Sequence, residues 1–266
     1  MKASEIMKYF RKIGTWVSWD DTCDQILYGS SEIEVKGIAV AWIATNFAIE
    51  KAGKKGLNLF ITHESSFYNF NYYEIDSFNN TPDGKNLITK KKKLLDNYGI
   101  TLIRCHDVWD RMPGFGICDK WAEFLGFKTE KRPVESYYKI CLIDNLTLDE
   151  LAELIVNKVK LLGQDSVKVM GGGNRIIRRM AIGTGAITAF NEMYKLKPDV
   201  ILATEDGMNH WSAGLLALDL EMPIIIVNHA ISEIPGMKAL AGYLQNHFSK
   251  IPVEHINTIF PYRTLC

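Results

Sequence analysis

Two seventeen-residue stretches decide the fold, AIEKAGKKGLNLFITHE at residues 48–64 and FNEMYKLKPDVILATED at residues 190–206. Each reads as a helix end, a basic linker, an apolar β-favouring run, and then threonine followed by histidine or acidic residues. The strands that come next echo as well. YGITLIRCH (98–106) and LEMPIIIVNH (220–229) share a short turn, an apolar run and a terminal histidine. This recurrence implies an α/β fold of two internally related units rather than one long wound sheet. The divide falls near Lys128 to Val134, which gives a first unit over residues 1–130 and a second over 131–266.

Working outward, Ala3 to Thr15 carries Ile6, Met7, Phe10 and Ile13 at helical spacing and predicts an amphipathic helix. Lys36 to Trp42 predicts a buried strand, Thr45 to Lys54 a helix, and Leu57 to Thr62 a strand that ends at His63. A further helix is expected over Pro82 to Tyr98, and a strand over Thr101 to Cys105 that finishes at His106. Later, Ile117 to Leu125 and Thr147 to Leu161 read as helices, and Tyr137 to Ile143, Ser166 to Met170 and Arg178 to Ile182 as strands. The aromatic, Asn-rich segment Phe67 to Thr81 has the composition of a loop, placed to overhang the polar residues before it. Ala186 to Met193 is expected as a helix whose N-terminus suits an anion, although tight-turn geometry alone also explains Gly183 and Gly185. The run GGGNR (171–175) lacks the residue order of a nucleotide-binding loop.

Three polar punctuations stand at or beside the predicted strand ends: THESS (62–66), CHDVWD (105–110) and NHAISE (228–233). They hold three of the six histidines of the chain. In open α/β sheets, functional groups collect beyond the carboxyl ends of strands, where loops vary over a rigid scaffold. His106 and Asp110 are four residues apart, as are His229 and Glu233, so one helical turn would set each pair on one face. Imidazole with carboxylate suits zinc, manganese or iron without choosing among them, and a helix salt bridge or cap is the plainer reading of either pair. Glu64 is open to three roles, as ligand, as general base or as solvated carboxylate. Glu205, Asp206 and His210 occupy the position matching His63 and Glu64 in the second copy and suit either ligand orientation or a helix cap. Asp20, Asp21 and Asp24 read as turn or cap residues.

Bulk properties narrow the classes. Hydrophobic residues make up 47% of the 266 and charged residues 23%, which suits a globular protein with one large core or two moderate ones. The 31 basic and 31 acidic residues cancel, so nucleic acid and membrane are not expected partners, and Lys90 to Lys93 reads as a solvated helix face. No apolar run approaches a signal or membrane segment, and the five widely spaced cysteines suit free thiols, so a cytoplasmic location is expected.

NLFITHESSFY, LIRCHDVWD with PGFGICDKWAEFLG, GTGAI, DVILATEDGMNHWSA and IIIVNHAISE, taken in order, resemble the Nif-three-like dinuclear-metal-centre family, often labelled GTP cyclohydrolase 1 type 2. The resemblance covers nearly the whole chain. It implies intertwined α/β repeats with mixed sheets, a hexameric ring, and one or two divalent ions at strand ends. His63 matches the first residue of a His-His pair, Asp110 a ligating carboxylate, and His229 with Glu233 the late ligand pair, while His106 matches a pocket histidine. Glu64 departs from the pattern, standing where the second histidine is usual, and TEDGMNH (204–210) departs from a TGE-like segment. The expected metal ligands are therefore His63, Glu64, Asp110, His229 and Glu233, with Glu64 or His106 assisting proton transfer. The expected reaction is metal-dependent hydrolysis of a phosphoester, nucleotide or heterocycle. The alternative is a non-catalytic metal-binding interaction or metal-handling protein.

Overall fold

The computed structural model describes residues 1–67, 78–131, 133–257, 262, 264 and 265. The chain divides into two units, Met1–Trp109 with Met237–Thr258, and Asp110–Gly236 with Ile259–Cys266. The divide read near Lys128 to Val134 lies inside the second of these, between two strands of one sheet. Most of the aromatic overhang, residues 68–77, lies outside the described residues.

In the first unit, helix α1 (Ala3–Ile13) buries Ala3, Ile6 and Phe10. Strand β1 (Ile26–Tyr28) precedes β2 (Ile38–Ala41), whose four residues are all buried. Helix α2 (Asn46–Lys54) starts where the Thr45 hydroxyl accepts from the Ala48 N–H, a side-chain cap that replaces a missing helical acceptor. Strand β3 (Leu59–Thr62) follows and is buried throughout. Helix α3 (Pro82–Asn97) begins with proline in its first turn, where no N–H is needed, and is capped by Thr81. Strand β4 (Thr101–Arg104) leads into the one-turn helix α4 (Asp107–Asp110). The sheet order is β1-β4-β3-β2-β11, where β11 is Val253–His255. All neighbours are parallel except β1 on β4. Ala41, Ile49, Phe60, Leu95 and Leu102 pack in its core, each large side chain contributing about 1.5–3 kcal/mol by leaving water.

Lys91 departs from the solvated face read for its tetralysine run. It is buried, donates from Nζ to the Ser66 carbonyl at 2.5 Å, and is pushed down to about 8 by burial.

The second unit holds helix α5 (Ile117–Leu125), which ends at Gly126 with φ 90°, a left-handed stop that glycine adopts without strain. Then come β5 (Lys128–Thr129), β6 (Lys139–Thr147), α6 (Leu148–Val159), β7 (Lys168–Met170) and β8 (Ile176–Ile182). Helix α7 (Phe190–Tyr194), β9 (Val200–Thr204), a π-helical turn at His210–Gly214, α8 (Leu215–Asp219) and β10 (Ile224–Val227) complete the unit's regular elements up to α9 (His229–His247). The sheet order is β5-β6-β8-β9-β10-β7. Strands β8, β9 and β10 are parallel, and β7 runs antiparallel on β10. Trp121, Leu151 and Ile155 pack in one core cluster, and Phe190, Met193 and Ala217 in another.

The internal relation is visible in the topology. In each sheet three consecutive parallel strands, β2-β3-β4 or β8-β9-β10, carry an antiparallel strand on the last of the three, β1 or β7. The matching helices differ in length, nine residues in α2 and five in α7. The helix expected over Ala186 to Met193 is broken. Gly185–Ile187 forms a 3₁₀ turn and α7 starts afresh at Phe190, so no continuous helix presents its N-terminus to an anion after GTG. No helix among the described residues is long and apolar enough to cross a membrane.

His255 on β11 gives a test of this packing. Burial, Lys238 and Lys51 push its pKa down to about 4, against a hydrogen bond with Asn257 that raises it. The unfolded chain takes up this proton near pH 6.5 and the folded chain only near 4. The associated stability is therefore complete above pH 6.5 and falls by up to about 3 kcal/mol as pH drops through that window. Acid unfolding followed by circular dichroism should lose this component in His255→Asn, and an NMR titration of His255 with a midpoint above 6 would disprove its basis.

Candidate metal centre

Parallel pairing decides which side chains can meet. In the first unit Thr62 is in register with Arg104, so the residues after β3 lie beside the end of β4. The chain leaves β3 at His63, which is fully buried, with Glu64 next to it and nearly so. The N–H groups of both donate to the Trp42 carbonyl, which holds the exit of the strand. Arg104 reaches back across the strand ends, donating from Nε to the His63 carbonyl at 2.9 Å and from Nη2 to Glu64 Oε2 at 3.0 Å. The His106 ring stacks on that of His63 with centroids 4.3 Å apart and 16° between planes. His106 Nε2 lies 3.8 Å from Glu64 Oε1. The first unit thus brings His63, Glu64 and His106 together.

The turn that carries His106 is held by a residue far away in sequence. Asp24 is buried and accepts from the backbone N–H groups of His106 and Asp107 through Oδ1 and of Val108 through Oδ2, the last two at 3.1 and 2.8 Å. These N–H groups at the start of α4 have no acceptor within the helix, so Asp24 acts as a long-range N-cap. Burial pushes its carboxyl up, opposed by the same hydrogen bonds. Asp107 takes the Thr22 hydroxyl at 2.7 Å and faces His106 Nδ1 at 2.9 Å. Despite burial, the His106 and Thr22 bonds hold the Asp107 carboxyl well below its usual range. A carboxylate on Nδ1 directs the other ring nitrogen of His106 towards Glu64. Cys23, His106 and Asp107 also offer donor atoms within 4.8 Å of one another, a grouping not foreseen in the sequence. Asp110, buried, is the last residue of α4 and the first of the second unit.

In the second unit His229 opens α9 and Glu233 lies one turn on, with His229 Nε2 3.2 Å from the Glu233 carboxylate. The helical spacing read from the sequence is therefore realised. Asp206 meets His229 Nδ1 at 2.7 Å, and Glu205 accepts the His229 N–H at 2.8 Å and the Asn228 amide. Burial opposes charge on His229, yet Glu233 and Asp206 together hold its pKa well above the ordinary value. Asp206 is the orienting residue among the candidates that follow β9, whereas His210 stands exposed at the start of the π-helical turn.

Gly185 explains part of the GTG motif. At φ 65° it accepts a conformation that side-chain-bearing residues rarely take, and a Cβ there would meet Glu233 Oε1 at 2.7 Å and His229 Nε2 at 3.1 Å. The Gly185 carbonyl accepts the Thr204 hydroxyl, and that hydroxyl lies 2.9 Å from the Thr188 hydroxyl. The glycine leaves room around the two groups rather than cradling a phosphate. Among the described residues, buried or half-buried His, Glu and Asp side chains offer donor atoms close enough together to hold a metal ion.

Two substitutions test these supports. Asp24→Ala would strand three N–H donors in a buried place and should lower unfolding stability by roughly 2–4 kcal/mol in urea titration, more than Asp24→Asn, which keeps one acceptor. Asp206→Asn should lower the His229 pKa seen by NMR, since it removes both a charge and a charged acceptor; an unchanged titration would show that Asp206 does not hold the ring.

Comparisons with known proteins give the family and the fold. The Duf34/NIF3 (NGG1p interacting factor 3) family model matches residues 1–260. Among solved structures, the Staphylococcus aureus hypothetical protein SA1388 superposes with a TM-score of 0.77 at 21% identity, covering 100% of this chain and 99% of that one. Protein ybgI, described as of unknown function, gives 0.80 at 18% identity over 98% of this chain and 100% of that one. Reduced HcgD from Methanocaldococcus jannaschii gives 0.73 at 18% identity over 97% and 98%. At these identities the structures establish a shared fold. No curated protein matches the chain in sequence.

Proposed function

The chain belongs to the Duf34/NIF3 family, and from that premise we propose that it is a divalent-metal-dependent hydrolase, with His63 and Glu64 in the first unit and Asp110, His229 and Glu233 in the second as its candidate ligands. The observation that carries this reading is Gly185, whose missing side chain keeps a clearance around the paired donors His229 and Glu233. The donor set of imidazoles and carboxylates fits zinc, iron or manganese. When bound, a divalent ion supplies Lewis acidity and water activation at neutral pH.

The chain's own residues supply the rest. His106 is placed to move a proton at Nε2, because Asp107 occupies Nδ1 and fixes the direction of the ring. Glu64 Oε1 lies beside that nitrogen and can accept or return the proton. The substrate class consistent with this chemistry is a phosphoester, nucleotide or heterocycle. A cytoplasmic homo-oligomer, a hexameric ring by the family resemblance, is part of the same proposal. Trp211, Leu215, Leu216, Leu218 and Leu220, exposed along one short segment, support self-association. The same exposed segment favours the second reading, a non-catalytic metal-binding protein whose surfaces serve assembly.

Metal content in protein purified without chelator, followed by a turnover screen of the metal-loaded form, separates the two. Under the hydrolase reading, Glu233→Gln and Asp110→Asn should each lose at least 100-fold in turnover with folding intact. Gly185→Ala should weaken metal binding about tenfold or more by crowding the donors. Full metal occupancy with no turnover on any phosphoester, nucleotide or heterocycle would leave the non-catalytic reading in place.

A further inference from the structure

Among the described residues at the first unit's strand ends, Arg104 is a feature that a metal site of imidazoles and carboxylates does not call for. It is anchored at two points, through Nε to the His63 carbonyl at 2.9 Å and through Nη2 to Glu64 Oε2 at 3.0 Å, and its side chain is only 15% exposed. The Glu64 side chain is 10% exposed. The guanidinium is a positive charge fixed beside the residues proposed as ligands. Its register partner on β3 is Thr62, which places the charge at the strand exit itself.

We infer that Arg104 takes the place of a second cation and limits this centre to one divalent ion per chain. The inference rests on the metal-binding reading above and specifies its stoichiometry. Glu64 stands where the family that the chain resembles carries the second histidine of a pair, and one of its oxygens is already bonded to the guanidinium. A divalent ion on the remaining oxygen would sit close to a like charge in a nearly dry site, where repulsion is screened little. The other oxygen faces His106 Nε2 at 3.8 Å, so the carboxylate is set between a fixed cation and an imidazole. Paired with Arg104, Glu64 keeps a single oxygen for coordination, so it can complete the surroundings of one ion but not serve two. Arg104 is thus a positioning residue that acts through Glu64.

The test is a metal count on the intact protein. Protein loaded with excess zinc or manganese and desalted is measured by inductively coupled plasma mass spectrometry and by native mass spectrometry. One equivalent per chain is expected. Two equivalents in the natural sequence would overturn the inference and leave metal binding standing, whereas no bound metal would overturn both. Arg104→Gln should admit a second equivalent, and Arg104→Lys, which keeps the charge, should stay at one. A folded Arg104→Gln that still holds one ion would show that the guanidinium is not what limits the site. Should Arg104→Gln fail to fold, the uncharged Arg104→Met, of similar length, keeps the test open: two equivalents per chain are expected, and a folded Arg104→Met that holds only one would overturn the inference.

Discussion

Parallel pairing of buried strands is the constraint from which the rest of this structure follows. β2, β3 and β9 are buried at every position, so these strands have no face on which to carry charge. Polar groups are displaced to the strand ends, and register then decides which ends are neighbours. Thr62 beside Arg104 sets the Cys105 N–H on the Thr62 carbonyl, and Thr204 beside Val227 sets the Glu205 N–H on the Val227 carbonyl. The strand ends adjoin in both units, although the first bond runs from the residue after the later strand and the second from the residue after the central one. In each unit the residue after the central strand becomes a neighbour of the residues that follow the next strand.

The two copies fill that shared geometry with opposite electrostatics. In the first, a cation fixes a carboxylate: Arg104 holds Glu64. In the second, carboxylates fix an imidazole: Asp206 takes Nδ1 of His229, and Glu205 takes its backbone N–H. The difference has a physical consequence for any ligand. The second cluster gathers negative charge around a histidine whose pKa is raised, while the first holds its glutamate in an ion pair. The repeated strand order supplies a common scaffold, and the side chains at its strand ends differ.

Elements with a strong local signal were legible in the sequence. β3, β4 and β10 are apolar runs bounded by turns and ended by polar residues, and α1, α5 and α6 carry helical spacing with clear stops. The internal echo exposed the duplicated topology because both copies keep the helix, linker and strand order. β1, β5 and β11 were missed, since two or three residues cannot show a period and their pairing is decided by distant partners. The helix after GTG is broken for a related reason: composition favours helix there, but Gly185 at positive φ serves the packing around Glu233 and His229. Among the candidate groups, the histidines and the spacing of His229 and Glu233 could be read. Arg104 could not, because it looks like an ordinary strand residue until register reveals what lies beside it. Asp24 was legible as a cap but not as the cap of α4, 83 positions away along the chain.

A common device underlies both histidines despite these differences. The Nδ1 atom of His106 meets the carboxylate of the next residue, and that of His229 meets Asp206, reached only through the pairing of β9 with β10. One partner is local and depends on the turn that Asp24 caps; the other is long-range and depends on sheet register. Either way, a carboxylate on Nδ1 fixes the ring and turns Nε2 towards a second carboxylate, Glu64 in one case and Glu233 in the other. Fixing the ring in advance removes the rotational freedom that a free histidine would have to give up on binding an ion or moving a proton. The sheet and the cap therefore act on function by the same route, through the orientation of an imidazole.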